Sequence, residues 1–217
     1  MVDTCSLSVT GQLQLDTEPS NVTSVTSTEL AVTQPNKQNV QFISVSSNKL
    51  KKKQTLKVDG LCYCISCCQE KLVVSFVNPA KLQILDTNGT VLTTVTGGGI
   101  FSWPVYVTTN TNSIYVSDWK MKTFARINWQ GEVIGSYGGM AEPCGITLSD
   151  DGTVFVCDRQ RSVIEEIAGD CSTGKVVLNN LDHPRAICWC AETSKLYFSC
   201  ATRQEKHENF LQVFKLT

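Results

Sequence analysis

The sequence predicts an all-β protein, a β-propeller of about five four-stranded blades, and three observations support this fold class. A short apolar run recurs along the chain at spacings of 42, 42, 40 and 42 residues. The runs end at Gln34, Phe76, Asp118, Asp158 and Cys200. β-Branched segments broken by turn residues fill the intervals, and no stretch keeps a helical period. A period of about 42 residues with four strands per unit is typical of propeller blades.

The fourth unit shows the four strands of a blade most clearly. Residues 144–148, 153–157, 163–167 and 175–178 are rich in Val, Ile, Leu and Phe. The intervening residues include Ser, Asp, Thr and Gly, which form the tight turns of antiparallel hairpins. We therefore predict that each unit forms one antiparallel sheet.

Prolines mark where most units begin, and they are Pro19, Pro104, Pro143 and Pro184. The second unit opens with Asp59-Gly60 instead. We predict a single domain over residues 1–217, with blades at 19–58, 59–100, 101–140, 141–180 and 181–217. The last blade ends after its third strand. Residues 7–15, within the segment 1–18, are predicted to form a lone outer strand that packs on the outer edge of this last blade.

The composition excludes several classes of function. The net charge is −1, from 19 basic and 20 acidic residues, so we expect neither DNA nor a membrane as partner. The sequence has no apolar run long enough for a membrane span and shows no signal peptide at its start. Its 11 cysteines are odd in number and fall mostly in strands. We therefore expect reduced, buried thiols in a cytoplasmic protein.

The sharpest motifs lie in residues 113–118, 126–129, 143–148 and 154–159. They combine a Pro-x-Gly-Ile opening, a strand that ends in Asp and a β-branched third strand. With these motifs the chain resembles the NHL-repeat propellers at the C terminus of tripartite-motif (TRIM) ubiquitin ligases, and especially the TRIM-like proteins of bivalve molluscs. Propellers of this family usually have six blades, so the resemblance implies that one blade is missing or incomplete.

The resemblance implies a substrate-recognition role in ubiquitin-linked regulation or innate immunity. It does not imply ligase activity, because these 217 residues hold no ring-finger array and only two histidines, His183 and His207. Ligase activity would need an upstream RING domain in a longer protein. We therefore expect a protein that is not an enzyme, that needs no cofactor, and that binds a protein partner or single-stranded RNA.

One face of the predicted propeller collects the turns between second and third strands together with the connections between blades. The candidate partner-binding residues on this face are Trp103, Trp119, Lys120, Lys122, Arg159, Arg161, His183 and Arg203. Aromatic and Arg-rich surfaces are typical of binding hot spots. Asp118 and Asp158 also end their strands here, and we favour a structural role for them as caps of the turns. The double substitution Arg159→Ala with Arg161→Ala is expected to weaken binding and to leave thermal stability nearly unchanged.

Two further clusters have a functional and a structural interpretation. The lysine-rich stretch 49–57 could attract RNA, but we favour a solvated turn that protects a sheet edge. Cys62, Cys64, Cys67 and Cys68 could suggest zinc, but their spacing fits strand packing better than paired metal knuckles. We therefore predict no metal site.

Two other interpretations of the whole chain stay open. One is a propeller enzyme with a metal site near the central axis, which would need several converging His or carboxylate ligands. The other is a degenerate, truncated copy without a stable ring.

Overall fold

The computed structural model describes residues 9–47, 49–96, 99–201 and 211–215. They form an all-β, five-bladed propeller of antiparallel sheets, which confirms the predicted fold class. The first blade comprises β1 (Val22–Thr26), β2 (Glu29–Gln34), β3 (Asn39–Ser46) and β4 (Lys49–Lys57). The second comprises β5 (Cys62–Cys68), β6 (Lys71–Val77), β7 (Ala80–Asp86) and β8 (Val91–Thr96).

The third blade comprises β9 (Pro104–Thr109), β10 (Ile114–Asp118), β11 (Thr123–Ile127) and β12 (Val133–Tyr137). The fourth comprises β13 (Pro143–Leu148), β14 (Val154–Asp158), β15 (Val163–Ile167) and β16 (Gly174–Leu178). The fifth sheet has three described strands, β17 (Pro184–Cys190), β18 (Lys195–Cys200) and β19 (Leu211–Lys215). Short 3-10 turns at Pro35–Lys37 and Ala191–Thr193 complete the regular elements of the described chain. No helix among the described residues is long and apolar enough to cross a membrane.

Each repeated apolar run is the second strand of a blade. Every residue of β10 and β14 is buried, whereas the fourth strands β12 and β16 are largely exposed. A central strand is covered on both faces by neighbouring blades, so it reads as a continuous apolar run without alternation. This double burial explains why the second strands dominate the sequence repeat.

Blades pack face to face through apolar clusters and a few side-chain hydrogen bonds. Between the first two blades, Phe42 packs in one cluster with Leu72. The Thr33 hydroxyl donates to the Tyr63 carbonyl across the same seam at 2.9 Å. Between the third and fourth blades, the Ser117 hydroxyl donates to the Cys144 carbonyl at 2.7 Å. These bonds satisfy polar groups that the apolar seams would otherwise leave buried without partners.

Cys62 and Cys64, two of the cysteines that could have suggested zinc, are buried in apolar clusters. The sulfur of Cys64 accepts a hydrogen bond from the Val107 amide at 3.2 Å, between the second and third blades. Burial raises the pKa of this thiol to about 12, so it stays protonated at neutral pH. Among the described residues no group of three or more His, Cys, Asp or Glu side chains is placed to hold a metal ion.

The lysine-rich stretch forms the exposed outer strand β4, not the turn that the sequence predicted. Lys53 pairs with Glu29 at 2.7 Å, and Lys52 pairs with Asp16 at 2.6 Å. The residues between 49 and 57 pair antiparallel with β3, with one shift of register between Gln41 and Ile43, and most of their side chains are exposed. Lysines on an outer strand disfavour pairing with another chain.

The chain before the first blade differs from the predicted outer strand. Residues 1–8 lie outside the described residues, and residues 10–15 form no strand. Asp16 pairs with Lys37 and Lys52, and the Gln34 amide donates to Thr17 at 3.1 Å. These contacts hold Asp16 and Thr17 to the first blade rather than to the last one.

The ring has one seam unlike the others. The inner strands pack side by side in the order β1, β5, β9, β13, β17, and no comparable packing joins β17 to β1 in the described chain. Ala186 and Cys188 of β17 are consequently exposed. Leu211 on β19 is 53% exposed.

Candidate functional site

A cleft of about 790 Å³ opens at the centre of the face that collects the second-to-third turns and the connections between blades. A volume of this size is typical of ligand sites in proteins. Residues from all five blades line it, among them Tyr63, Trp103, Tyr106, Trp119, Arg159 and Arg185. We call this surface the cleft face.

Asp118 organises the part of the cleft face that belongs to the third blade. Its side chain is 2% exposed and accepts backbone N–H groups from both sides of the loop. The amides of Ser102 and Trp103 donate to it at 2.7 and 2.8 Å, and the amide of Met121 donates at 2.9 Å. The carboxylate therefore ties the connection that enters the blade to the turn after β10.

Asp158 has the same arrangement in the fourth blade. It is fully buried and accepts the amides of Ala141 and Glu142 at 2.7 and 3.0 Å. The Arg161 amide donates to it at 3.2 Å. Gln34 occupies the corresponding position of the first blade and reaches Thr17 by its amide. In the first, third and fourth blades, the residue that ends the repeated run therefore holds the segment that enters the blade.

Trp103, Trp119 and Lys120 form one compact group, which we call the tryptophan pair with its lysine. The two indole rings meet edge to face with centroids 6.2 Å apart. The ammonium of Lys120 lies 4.5 Å from the centroid of the Trp103 ring. Trp119 remains 40% exposed, so the group presents an aromatic surface and a positive charge to solvent. Such surfaces are typical of interface hot spots.

Arg159 also lines the cleft, but a carboxylate neutralises it. Its guanidinium lies 2.6 Å from the Glu142 carboxylate, and its amide donates to the Glu142 carbonyl at 2.9 Å. Its Nε atom is buried and has no hydrogen-bond partner among the described residues. Arg159 is therefore held in place at the wall of the cleft rather than extended into solvent.

Arg161 takes part in the contact between the third and fourth blades. It pairs with the buried carboxylate of Glu165 and lies 3.7 Å from Asp158. The Tyr137 hydroxyl donates to the other oxygen of Glu165 at 3.2 Å. Loss of solvation, followed by the charge of Glu165, raises the pKa of Tyr137 above its ordinary value. Arg161 does not line the cleft.

The remaining predicted residues are more scattered. Lys122 is exposed in the turn after β10, with a positive φ of 56°. His183 lies in the connection that enters the fifth blade, and its ring nitrogen is 3.0 Å from Asp182. Neither residue lines the cleft. Arg203 lies outside the described residues.

The sequence-based prediction missed residues from the inner strands, among them Tyr63, Tyr106 and Arg185. A signal for some of them was present. The residue directly after each proline that opens a blade lines the cleft, and these residues are Ser20, Val105, Cys144 and Arg185. The prolines open or precede the inner strands, so the residue that follows each of them lies at the mouth of the axis.

Two titratable side chains that line the cleft, Cys144 and Tyr106, are protonated at neutral pH. Burial raises the pKa of the Cys144 thiol and of the Tyr106 hydroxyl to about 12 each. Cys144 is therefore not a thiolate nucleophile in this conformation, because nucleophilic attack needs the ionised thiol. The cleft offers neutral hydrogen-bond donors, guanidinium groups, two carboxylates and aromatic rings.

No family model matches the chain, and no curated protein matches it. Solved structures do resemble it. Virginiamycin B lyase from Staphylococcus aureus superimposes with a TM-score of 0.66 at 16% identity, over 93% of this chain and 71% of that chain. A streptogramin B lyase gives 0.64 at 15%, over 92% and 83%. A protein of unknown function from Desulfotomaculum acetoxidans gives 0.68 at 15%, over 94% and 71%.

At these identities the likeness shows the propeller fold alone. It nevertheless contradicts the expectation that the chain is not an enzyme, because propellers with this architecture include lyases. One of the similar structures is a catalytically inactive variant of the Staphylococcus aureus lyase with quinupristin. A fold is a scaffold on which either binding or catalysis can be built. The fold therefore gives no ground for excluding catalysis.

Proposed function

We propose that this protein recognises a partner protein through its cleft face, as a propeller of the TRIM-NHL-like kind does. The observation that carries the proposal is the tryptophan pair with its lysine, which Asp118 holds on the rim of the cleft. Rigid aromatic side chains beside a cation lose little conformational entropy on binding. The resemblance to TRIM propellers supports a role in substrate recognition for ubiquitin-linked regulation, including innate immunity.

The charges of the cleft favour protein over RNA. Glu18 and Glu142 line the same cleft as Arg159 and Arg185, so both signs of charge are present. A phosphate backbone gains affinity from uninterrupted basic surface and is repelled by carboxylates. A protein surface can match mixed charges with its own. RNA binding is therefore the outcome that the experiment must exclude.

A cytoplasmic location is part of the proposal. The ten described cysteines are all free thiols. Thiols persist in the reducing cytosol, whereas secreted domains of this size use their cysteines in disulfides. A ubiquitin-ligase function would come from a RING domain elsewhere in a longer protein.

The test is capture of partners from cytosolic extract on immobilised protein, with and without RNase. The test variant carries Trp119→Ala and Lys120→Ala. The propeller provides a matched control on its opposite face, where Lys71 lies 5.3 Å from the ring centroid of Trp129. The control variant therefore carries Lys71→Ala and Trp129→Ala, which remove the same two residue types.

We expect the test variant to lose captured proteins by about tenfold or more, as truncated hot spots do, while the control variant retains them. The captured proteins should survive RNase. Equal capture by wild type and test variant, or equal loss in both variants, would refute the site. Loss of capture after RNase would instead assign the cleft face to RNA.

A further inference from the structure

The cleft does not end at the face of the propeller. A second cavity of about 370 Å³ lies along the inner strands, and Tyr197, Phe198 and Leu211 of the fifth blade also line it, so it extends into the seam between the fifth and first blades. Tyr106, Ala186 and Ser199 line both cavities, so the cleft continues into this axial channel. A ligand in the cleft can therefore extend one end into the channel.

The walls of the channel are mainly apolar, with side chains such as Ile65, Ile146 and Ile187. Several of its polar groups already have partners. The hydroxyls of Ser66 and Thr109 bond each other at 2.8 Å. The Thr147 hydroxyl accepts the Trp189 amide at 2.9 Å. The channel therefore suits an apolar chain better than a polar one, because few polar groups would lose water without compensation.

The mouth of the channel carries a cation without a carboxylate partner. Arg185 is exposed at the rim and forms no ion pair in the described chain. Its neighbour is Tyr106, whose protonated hydroxyl can donate a hydrogen bond. Glu142 pairs with Arg159, and Glu18, which also lines the cleft, forms no ion pair with Arg185 among the described residues.

We propose that the cleft and the axial channel together bind an amphiphilic carboxylate. Its apolar chain occupies the channel, and its carboxylate meets the guanidinium of Arg185 at the mouth. Arginine binds carboxylates through paired N–H donors, which gives direction as well as charge. This inference concerns a small ligand on the axis. It does not rest on the macromolecular partner proposed for the rim.

The probes are octanoate, octanol and octylamine, titrated into the purified protein by isothermal titration calorimetry. They share one chain length and differ in the charge of the head group. We expect octanoate to bind about tenfold or more tightly than octanol, and octylamine to bind weakest, because Arg185 attracts the carboxylate and repels the ammonium. Equal binding of octanoate and octanol, or binding of none of the three, overturns the proposal.

Two variants locate the ligand. Arg185→Gln removes the charge and should reduce octanoate affinity by about tenfold while leaving octanol unchanged. Ala186→Phe narrows the passage between cleft and channel and should weaken both ligands. The control is Lys51→Gln, an equal change of charge on the exposed strand β4. Octanoate binding that survives both test variants places the ligand elsewhere and refutes the assignment.

The carboxylate has two natural sources, a fatty acid and the C terminus of a peptide with an apolar last residue. A short acetylated peptide ending in Leu, with a free or an amidated terminus, separates them. If the peptide with the free terminus binds more tightly than octanoate, the site is assigned to peptide ends. If octanoate binds more tightly than this peptide, the site is assigned to fatty acids. Lys120→Ala, at a residue that does not line the cleft, should leave octanoate binding intact, so the two proposals fail independently.

Discussion

The ion pair between Arg161 and Glu165 gives a sharp test of how the blades are held together. Glu165 is 2% exposed, and its carboxylate is held by Arg161 on one oxygen and by Tyr137 on the other. The substitution Arg161→Ala leaves a buried charge with one hydrogen bond. We therefore expect it to destabilise the fold, in contrast to the small effect that the sequence alone suggested for the Arg159 and Arg161 double substitution.

The size of the effect follows from the exposure of the two partners. Removing one partner of a fully buried ion pair costs about 3–5 kcal/mol. The Arg161 side chain is 40% exposed, so water can reach the vacated site and soften the loss. Tyr137 also keeps its hydrogen bond. We expect a loss of about 2 kcal/mol, which for a domain of this size lowers Tm by about 4–8 °C.

The assay is urea unfolding followed by circular dichroism, with a double-mutant cycle. Glu165→Gln removes the stranded charge, so the Arg161→Ala and Glu165→Gln double variant should recover about 1 kcal/mol relative to the sum of the single variants. The control is Lys175→Ala in the same blade. Lys175 pairs with Glu166 at 3.1 Å but is 69% exposed, so its loss should cost less than about 0.5 kcal/mol.

The result that would refute the reasoning is an Arg161→Ala variant within about 0.5 kcal/mol of wild type, which is the level of an exposed pair. An additive cycle would show that the two side chains act separately. Either outcome would return Arg161 to the set of residues that are free for a partner.

Three further predictions concern stability. Asp118→Ala should cost about 3 kcal/mol because it removes the acceptor of three partly buried backbone amides, whereas Asp150→Ala in an exposed turn should change the unfolding free energy by less than about 0.5 kcal/mol. Gly145→Ala should cost about 2 kcal/mol, since an added Cβ would lie 2.6 Å from the backbone of the fifth blade, while Gly138→Ala has open space and should be tolerated. The free energy of unfolding should stay constant up to about pH 9 and fall as the pH rises towards 12, because buried thiols such as Cys144 have a raised pKa in the folded protein and their ordinary pKa in the unfolded chain. Urea unfolding at pH 8 and at pH 10 measures this fall in the free energy of unfolding. Cys144→Ala should make the fall smaller.

Much of the fold could be predicted from local patterns. The repeat spacing located the second strand of each blade, because doubly covered strands must be apolar along their whole length. Turn residues located the hairpins in the same way. The residues before the first blade were not predictable, because Asp16 and Thr17 are held by Lys37, Lys52 and Gln34 of the first blade, and no local pattern encodes that contact.

The site was predictable only in part. The tryptophans and the cations could be assigned to one face from the order of strands and turns. Which cations are free could not be assigned, because Arg159 and Arg161 differ only in the carboxylates that the fold brings to them, Glu142 and Glu165. Arg185 was missed because it sits in an inner strand and not in a turn.

By itself the sequence determined the number of visible blades, the positions of their strands and the face on which aromatic and basic residues gather. These properties follow from the order and spacing of residues along the chain, which can be read without knowing which residues meet in space. Only the tertiary structure decided which charges are neutralised and that the cleft continues into the axial channel. It also decided that Arg185 lies at the mouth of the channel and pairs with no carboxylate among the described residues. Those properties depend on distances between residues of different blades, which no local pattern of residues encodes.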